Sequence, residues 1–145
     1  MPITFEVLRP DDESTLRQLH ELIHTYAQMG LMLEQTVEYF IRLASSKFVM
    51  VAVDENGALL GSAGLTYDLG DKMGQPGVHE FGAWAVAQNK VGTGLGGQLF
   101  DAFFKHIATL PDVQGVIAFA NNNSRPVLLK MGGQVIDQAN LPPEM

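Results

Sequence analysis

Three stretches of this 145-residue sequence hold residue types whose spacing could carry chemistry. The first is Gly92-Thr93-Gly94-Leu95-Gly96-Gly97, four glycines in six residues ahead of a helical repeat of apolar side chains. At a helix start the first amides lack internal partners and carry the positive end of the helix dipole. Glycines there remove the side chains that would hold a phosphate away from the backbone, so the pattern points to a phosphate cradle. The second is Glu80, an acid within the largely apolar run Val78 to Val86. Burial would raise its pKa and suit it to take a proton. The third is His20-Glu21-Leu22-Ile23-His24, which fits the pattern His-Glu-x-x-His. On a helix both imidazoles share one face and could share a zinc ion, with Glu21 as base.

Each has competitors. A Walker loop ends in Gly-Lys-Ser/Thr, whereas this loop ends in Gly96-Gly97-Gln98 and fails the pattern. Gly92, Gly94 and Gly97 formally meet a dinucleotide fingerprint, which normally opens its fold and is followed by an acid at the end of the next strand. Here that strand ends in Asn121-Asn122-Asn123. The extended zinc-protease pattern also fails, because Ala27 and Gly30 stand where a glycine and a third histidine belong. The plain alternatives are a flexible turn at the glycines, an exposed acid at Glu80, and two histidines flanking the stripe Leu16, Leu19, Ile23 and Tyr26.

The elements that must position these residues follow from periodicity. Ile3 to Leu8 predicts a strand, and Asp11, Asp12 and Ser14 supply helix-start chemistry for a helix that Gly30 ends. A second helix is expected over Leu33 to Ala44. Phe48 to Val53 is almost wholly apolar, as in a buried strand, and Asp54-Glu55-Asn56-Gly57 turns it into a hairpin with Ala58 to Tyr67. Asp68 to Gly77 reads as a loop and Val78 to Val86 as the next strand. Strand alternation would place Glu80, Gly82, Trp84 and Val86 on one face. After the glycines, Leu95, Leu99, Phe103, Ile107 and Leu110 mark one face of a helix. Val113 to Ala120 predicts a strand, Ser124 to Met131 a short helix begun by Pro126, and Gly133 to Asp137 a last strand. The order is that of one α/β (α+β) domain over residues 1–145, with parallel pairing in its second half.

In this arrangement the sequence resembles the GNAT superfamily of acyl-CoA-dependent N-acyltransferases. That family's core motif is a strand ending in valine, a short loop, then Arg/Gln-x-x-Gly-x-Gly/Ala. Aligned on Val86, Gly94 and Gly96 fall on the motif glycines and Val91 on the Arg/Gln position, with Lys90 beside it. A second family motif, Asn-x-x-Ala followed by a helical tyrosine and Gly-Phe, maps onto Asn121, Ser124, Leu128 and Gly132-Gly133. The stretch Leu22 to Leu33 has a fainter likeness to amino-acid N-acetyltransferases of the acetylglutamate synthase type.

The resemblance implies a mixed central sheet of six to seven strands flanked by about four helices. It implies acetyl-CoA as co-substrate, contacted by Trp84, Ala85, Val86, Val91, Gly92, Thr93, Gly94, Leu95, Gly96, Gly97, Asn121, Ser124 and Leu128. Glu80 occupies the place of the family's catalytic glutamate. The acceptor would be a primary amine of a small molecule or peptide, attacking directly in a ternary complex. Homodimers are common in the family. Because Val91 and Leu128 replace an Arg/Gln and a tyrosine, a non-catalytic acyl-CoA binder is the second expectation, and a zinc hydrolase a distant third.

Composition narrows the partners. With no cysteine, thiolate nucleophiles and Cys-based metal sites are excluded. A net charge of −7 argues against nucleic acid, which needs a basic stripe to displace counterions. It also means that an anionic cofactor must be held by local donors. No apolar run approaches the roughly 20 residues of a membrane span, and Met1 to Pro10 does not resemble a signal peptide, so a cytoplasmic setting without membrane or metal is expected.

Overall fold

The structure is a computed structural model and describes residues 2–68 and 77–118. Strand β1 (Thr4–Val7) leads through Asp12 into helix α1 (Glu13–Gln28). The Asp12 carboxylate accepts the Thr15 amide at 3.2 Å and so caps the helix, as the acidic cluster predicts. Helix α2 (Val37–Ser45) begins four residues later than its apolar pattern suggests. Thr36 is the reason: its hydroxyl accepts the Tyr39 amide at 3.1 Å, which fixes the start there.

Strands β2 (Val49–Val53) and β3 (Leu59–Asp68) form the expected hairpin, and β4 (Val78–Val86) follows with the bounds read from sequence. A 3₁₀ turn (Gln88–Lys90) and the glycine loop lead to helix α3 (Leu95–Ile107), and β5 covers Gly115–Ile117. Helix α3 stops short of Leu110, which precedes Pro111, a residue type that disfavours helical backbone before it. Leu110 still packs beneath the same helix.

The five strands lie in the order β1-β2-β3-β4-β5, antiparallel except for β4 and β5. All five residues of β2 are buried because both faces are covered. Val49, Val51 and Val53 join Leu16, Leu19, Ile23 and Phe40 of α1 and α2 on one side. Met50 and Ala52 join Leu95, Leu99, Phe103 and Ile107 of α3 on the other. The described residues therefore give a five-stranded mixed sheet and three α-helices. Strand β5 is shorter than the expected Val113 to Ala120: Val113, Gln114 and Ala118 are not strand, and residues 119 and 120, like the further helix and strand read from Ser124 to Asp137, lie outside the described residues.

Candidate functional site at the end of strand β4

Strand β4 breaks its own alternation. Ala83 has φ +49°, rare for a residue with a side chain, and the β3–β4 register shifts across it, between the pairs Gly64–Gly82 and Ser62–Ala85. Phe81, Trp84 and Val86 consequently all belong to the α3 side, while Ala83 and Ala85 pack against α1 and α2. The expectation that Glu80, Gly82, Trp84 and Val86 share a face is thus overturned: the bulge puts Glu80 and Gly82 on the other side from Trp84 and Val86. Sequence spacing carries no sign of the bulge except that two large apolar residues, Phe81 and Trp84, sit three apart. Their rings meet at 5.4 Å.

On the α1/α2 side, Glu80 lies beside Thr66. Burial pushes its carboxyl above the ordinary glutamate value of 4.5, and a hydrogen bond with the Thr66 side chain offsets part of that rise. The Thr66 hydroxyl also reaches the Glu80 carbonyl at 3.4 Å. Gly82 makes room here, since a Cβ on it would stand 2.9 Å from the Thr66 methyl. Tyr39 of α2 donates to the Thr66 carbonyl at 3.3 Å. Thr66 also borders a cavity of about 710 Å³ at the start of β4, walled by Arg42, Phe48, Leu65, His79 and Asp112 among others. His79 is buried and meets the Phe48 ring edge-on at 5.0 Å.

The glycine loop sits at the opposite end of β4. Gly92 and Gly94 have φ of +83° and +85°, so the backbone itself needs glycine at these two positions. Gly96 and Gly97 are different. They lie in the first turn of α3 with no such φ, and a Cβ would meet only ordinary contact at Gly96 and open space at Gly97. Neither the backbone nor the packing requires their bareness. No side chain caps this helix start, so the amides that follow Gly94 are left for an external acceptor. The indole Nε1 of Trp84 donates to the Gly96 carbonyl at 3.0 Å and ties the turn to the strand. Thr93, itself exposed, donates to the Lys90 carbonyl at 2.5 Å, and Val91 projects with 66% exposure.

Parallel pairing of β4 with β5 covers only Val78–Glu80 against Gly115–Ile117. Beyond Glu80, the edge of β4 away from β3 faces no strand among the described residues. Tyr26 of α1, read from sequence only as a stripe residue, reaches this end of β4 and donates to the Val86 carbonyl at 2.6 Å. A lone tyrosine at helical spacing gives no sequence signal for that contact. Trp84, Val86 and the loop Val91 to Gly97 are thus brought together, and Glu80 stands further down the strand on the other face. Asn121, Ser124 and Leu128 lie outside the described residues.

The zinc pattern gains nothing from the geometry. The His20 and His24 rings stack at 6.3 Å, and His24 Nδ1 is 2.7 Å from the Glu34 carboxylate. Among the described residues no group of three or more His, Cys, Asp or Glu is placed to hold a metal ion. No helix among them is long and apolar enough to cross a membrane.

No protein-family model and no curated protein matches this sequence. Solved structures do. The chain is similar to N-acetylglutamate synthase of Neisseria gonorrhoeae, complexed with coenzyme A and N-acetyl-glutamate, at TM-score 0.75 and 17% identity. The match covers 99% of this chain and 31% of that one, so this chain spans about a third of the synthase's length. It is similar to a predicted acetyltransferase of Clostridium acetobutylicum solved with acetyl-CoA, at TM-score 0.70 and 15% identity over 94% of this chain and 93% of that one. Glucosamine-6-phosphate N-acetyltransferase of Arabidopsis thaliana matches at TM-score 0.68 and 15% identity, covering 94% of this chain and 95% of its own. These matches show that the chain shares the fold of these acetyltransferase structures.

Proposed function

We propose that the chain is an N-acyltransferase that moves an acetyl group from acetyl-CoA to a primary amine of a small molecule or peptide, by direct attack in a ternary complex. The observation that carries this is the bareness of Gly96 and Gly97. Glycine in a helix costs about 0.5–1 kcal/mol relative to alanine, and here the fold has no use for it. A ligand approaching the helix-start amides does, because a Cβ would keep a phosphate at a distance. The chain's net charge of −7 adds to the argument, since an anionic ligand needs such local donors.

Acetyl-CoA would supply a thioester carbonyl open to attack by an amine. The chain's own contributions divide along β4. The loop Gly92 to Gly97 holds the pyrophosphate, and the open edge at Trp84 to Val86 lines the pantetheine arm. Glu80, whose carboxyl burial pushes above its ordinary value, accepts the proton that the attacking amine must shed. The cavity beside Thr66 and His79 receives the acceptor, close to that carboxylate. The structures solved with coenzyme A or acetyl-CoA, all on this fold, support the choice of co-substrate.

A second reading, a non-catalytic acyl-CoA binder, is favoured by Val91. It projects into solvent where the family motif carries an Arg or Gln for the pyrophosphate. Two measurements separate these readings. Thermal unfolding with acetyl-CoA at 100 times its Kd should add about 2.7 kcal/mol, a Tm rise of roughly 5 to 11 °C. NADH and ATP serve as controls. No shift at millimolar acetyl-CoA would remove both readings, and a shift without turnover of any amine in a broad panel would leave only the binder.

A further inference from the structure

The phenol of Tyr26 reaches the end of strand β4. The Ala87 amide donates to the Leu60 carbonyl of β3 at 2.8 Å. Across one planar trans peptide the N–H and C=O point in opposite directions. The Val86 carbonyl must therefore point away from β3, towards the edge that β5 pairs with lower down and that no described strand covers at this height. It is at this open edge that the Tyr26 hydroxyl meets it, at 2.6 Å. A helix on one face of the sheet thus sends a polar group round to the strand edge. Nearby, the Gln88 amide lies 3.4 Å from the Met29 sulfur, a second link between the end of α1 and the exit of β4.

We propose that Tyr26 is a binding residue for the pantetheine arm of acyl-CoA. This rests on the function proposed above and extends it to an element that no glycine motif marks. The phenol donates to Val86, which leaves its oxygen lone pairs to accept an amide N–H. The pantetheine arm carries two such amides and, on the function proposed above, would run along this edge. Tyr26 converts a carbonyl that can only accept into a fixed acceptor one group further out, in line with the open side of the cleft.

The test compares two probes on the wild-type chain and on Tyr26→Phe. Coenzyme A contains the arm, whereas ADP presents only the pyrophosphate and nucleoside that the glycine loop would hold. The phenylalanine keeps the ring that packs on the α1 side of the core. Loss of one hydrogen bond should weaken coenzyme A about three- to tenfold and leave ADP affinity unchanged, both read by calorimetry. Equal affinity of the two proteins for coenzyme A overturns the role of Tyr26 alone. A parallel loss for coenzyme A and ADP also overturns it, because it would mean a general loosening of the site. Failure of the wild-type chain to bind coenzyme A sinks the underlying function, and the inference with it.

Discussion

The Ser62 hydroxyl donates to the Ala83 carbonyl at 2.5 Å, with Ser62 wholly buried. Ala83 is the residue whose φ of +49° bends β4, so its carbonyl falls out of the regular ladder and needs another donor. Ser62 supplies it from the neighbouring strand. Ser62 therefore anchors the bulge that sends Glu80 and Trp84 to opposite sides of the sheet.

Ser62→Ala should leave that carbonyl buried and unpaired, at a cost of about 1–3 kcal/mol. Chemical denaturation would show it as a lowered midpoint with an unchanged slope. An unchanged midpoint would mean that the bulge supports itself.

Glu80→Gln should cut acetyl transfer by about 10²- to 10⁴-fold while acetyl-CoA still raises the Tm. The pH dependence has a definite sign. Because burial raises the folded pKa above 4.5, the rate should climb with pH on a limb lying above that value. Thr66→Val removes the hydrogen bond that lowers the pKa and should move this limb higher still. Stability runs the other way. The folded state holds the Glu80 proton to a higher pH than the unfolded chain, so Glu80 lowers stability as pH rises from 4.5 through its folded pKa. Glu80→Gln should flatten that decline. A rate limb that survives in Glu80→Gln would assign the base elsewhere.

Gly96→Ala should separate fold from function by moving them in opposite directions. The added methyl meets Val86 at an ordinary 3.5 Å and should gain up to about 1 kcal/mol of helix stability. It should also weaken acetyl-CoA at least tenfold. A variant that is more stable and binds normally would show that the glycine serves no ligand.

Exhaustive dialysis against a chelator should leave both the Tm and acetyl-CoA binding unchanged, as should His24→Ala apart from the small loss of its Glu34 contact. Stoichiometric zinc with a lowered Tm on its removal would bring the histidine pair back as a metal site.

Much of this molecule is legible in its residues. The apolar run at Phe48 to Val53 announced a strand covered on both faces, and the glycine cluster announced the start of α3. Other features turn on geometry that one-dimensional patterns do not record. Thr36 outweighed the apolar residue Leu33 in starting α2, because a cap satisfies an amide that propensity ignores. The bulge was hidden because Ala83 adopts a backbone that sequence rules assign to glycine. Tyr26 and Val86 are 60 positions apart, and only the fold brings them within bonding distance.

Trp84, bonded to the Gly96 carbonyl, is the chain's single tryptophan. Every photon of indole emission therefore originates beside the first turn of α3, with the Phe81 and Phe100 rings as its other neighbours. The protein carries its own unlabelled optical reporter for whatever occupies the glycine turn, so an emission titration needs neither a fluorophore nor a known acceptor.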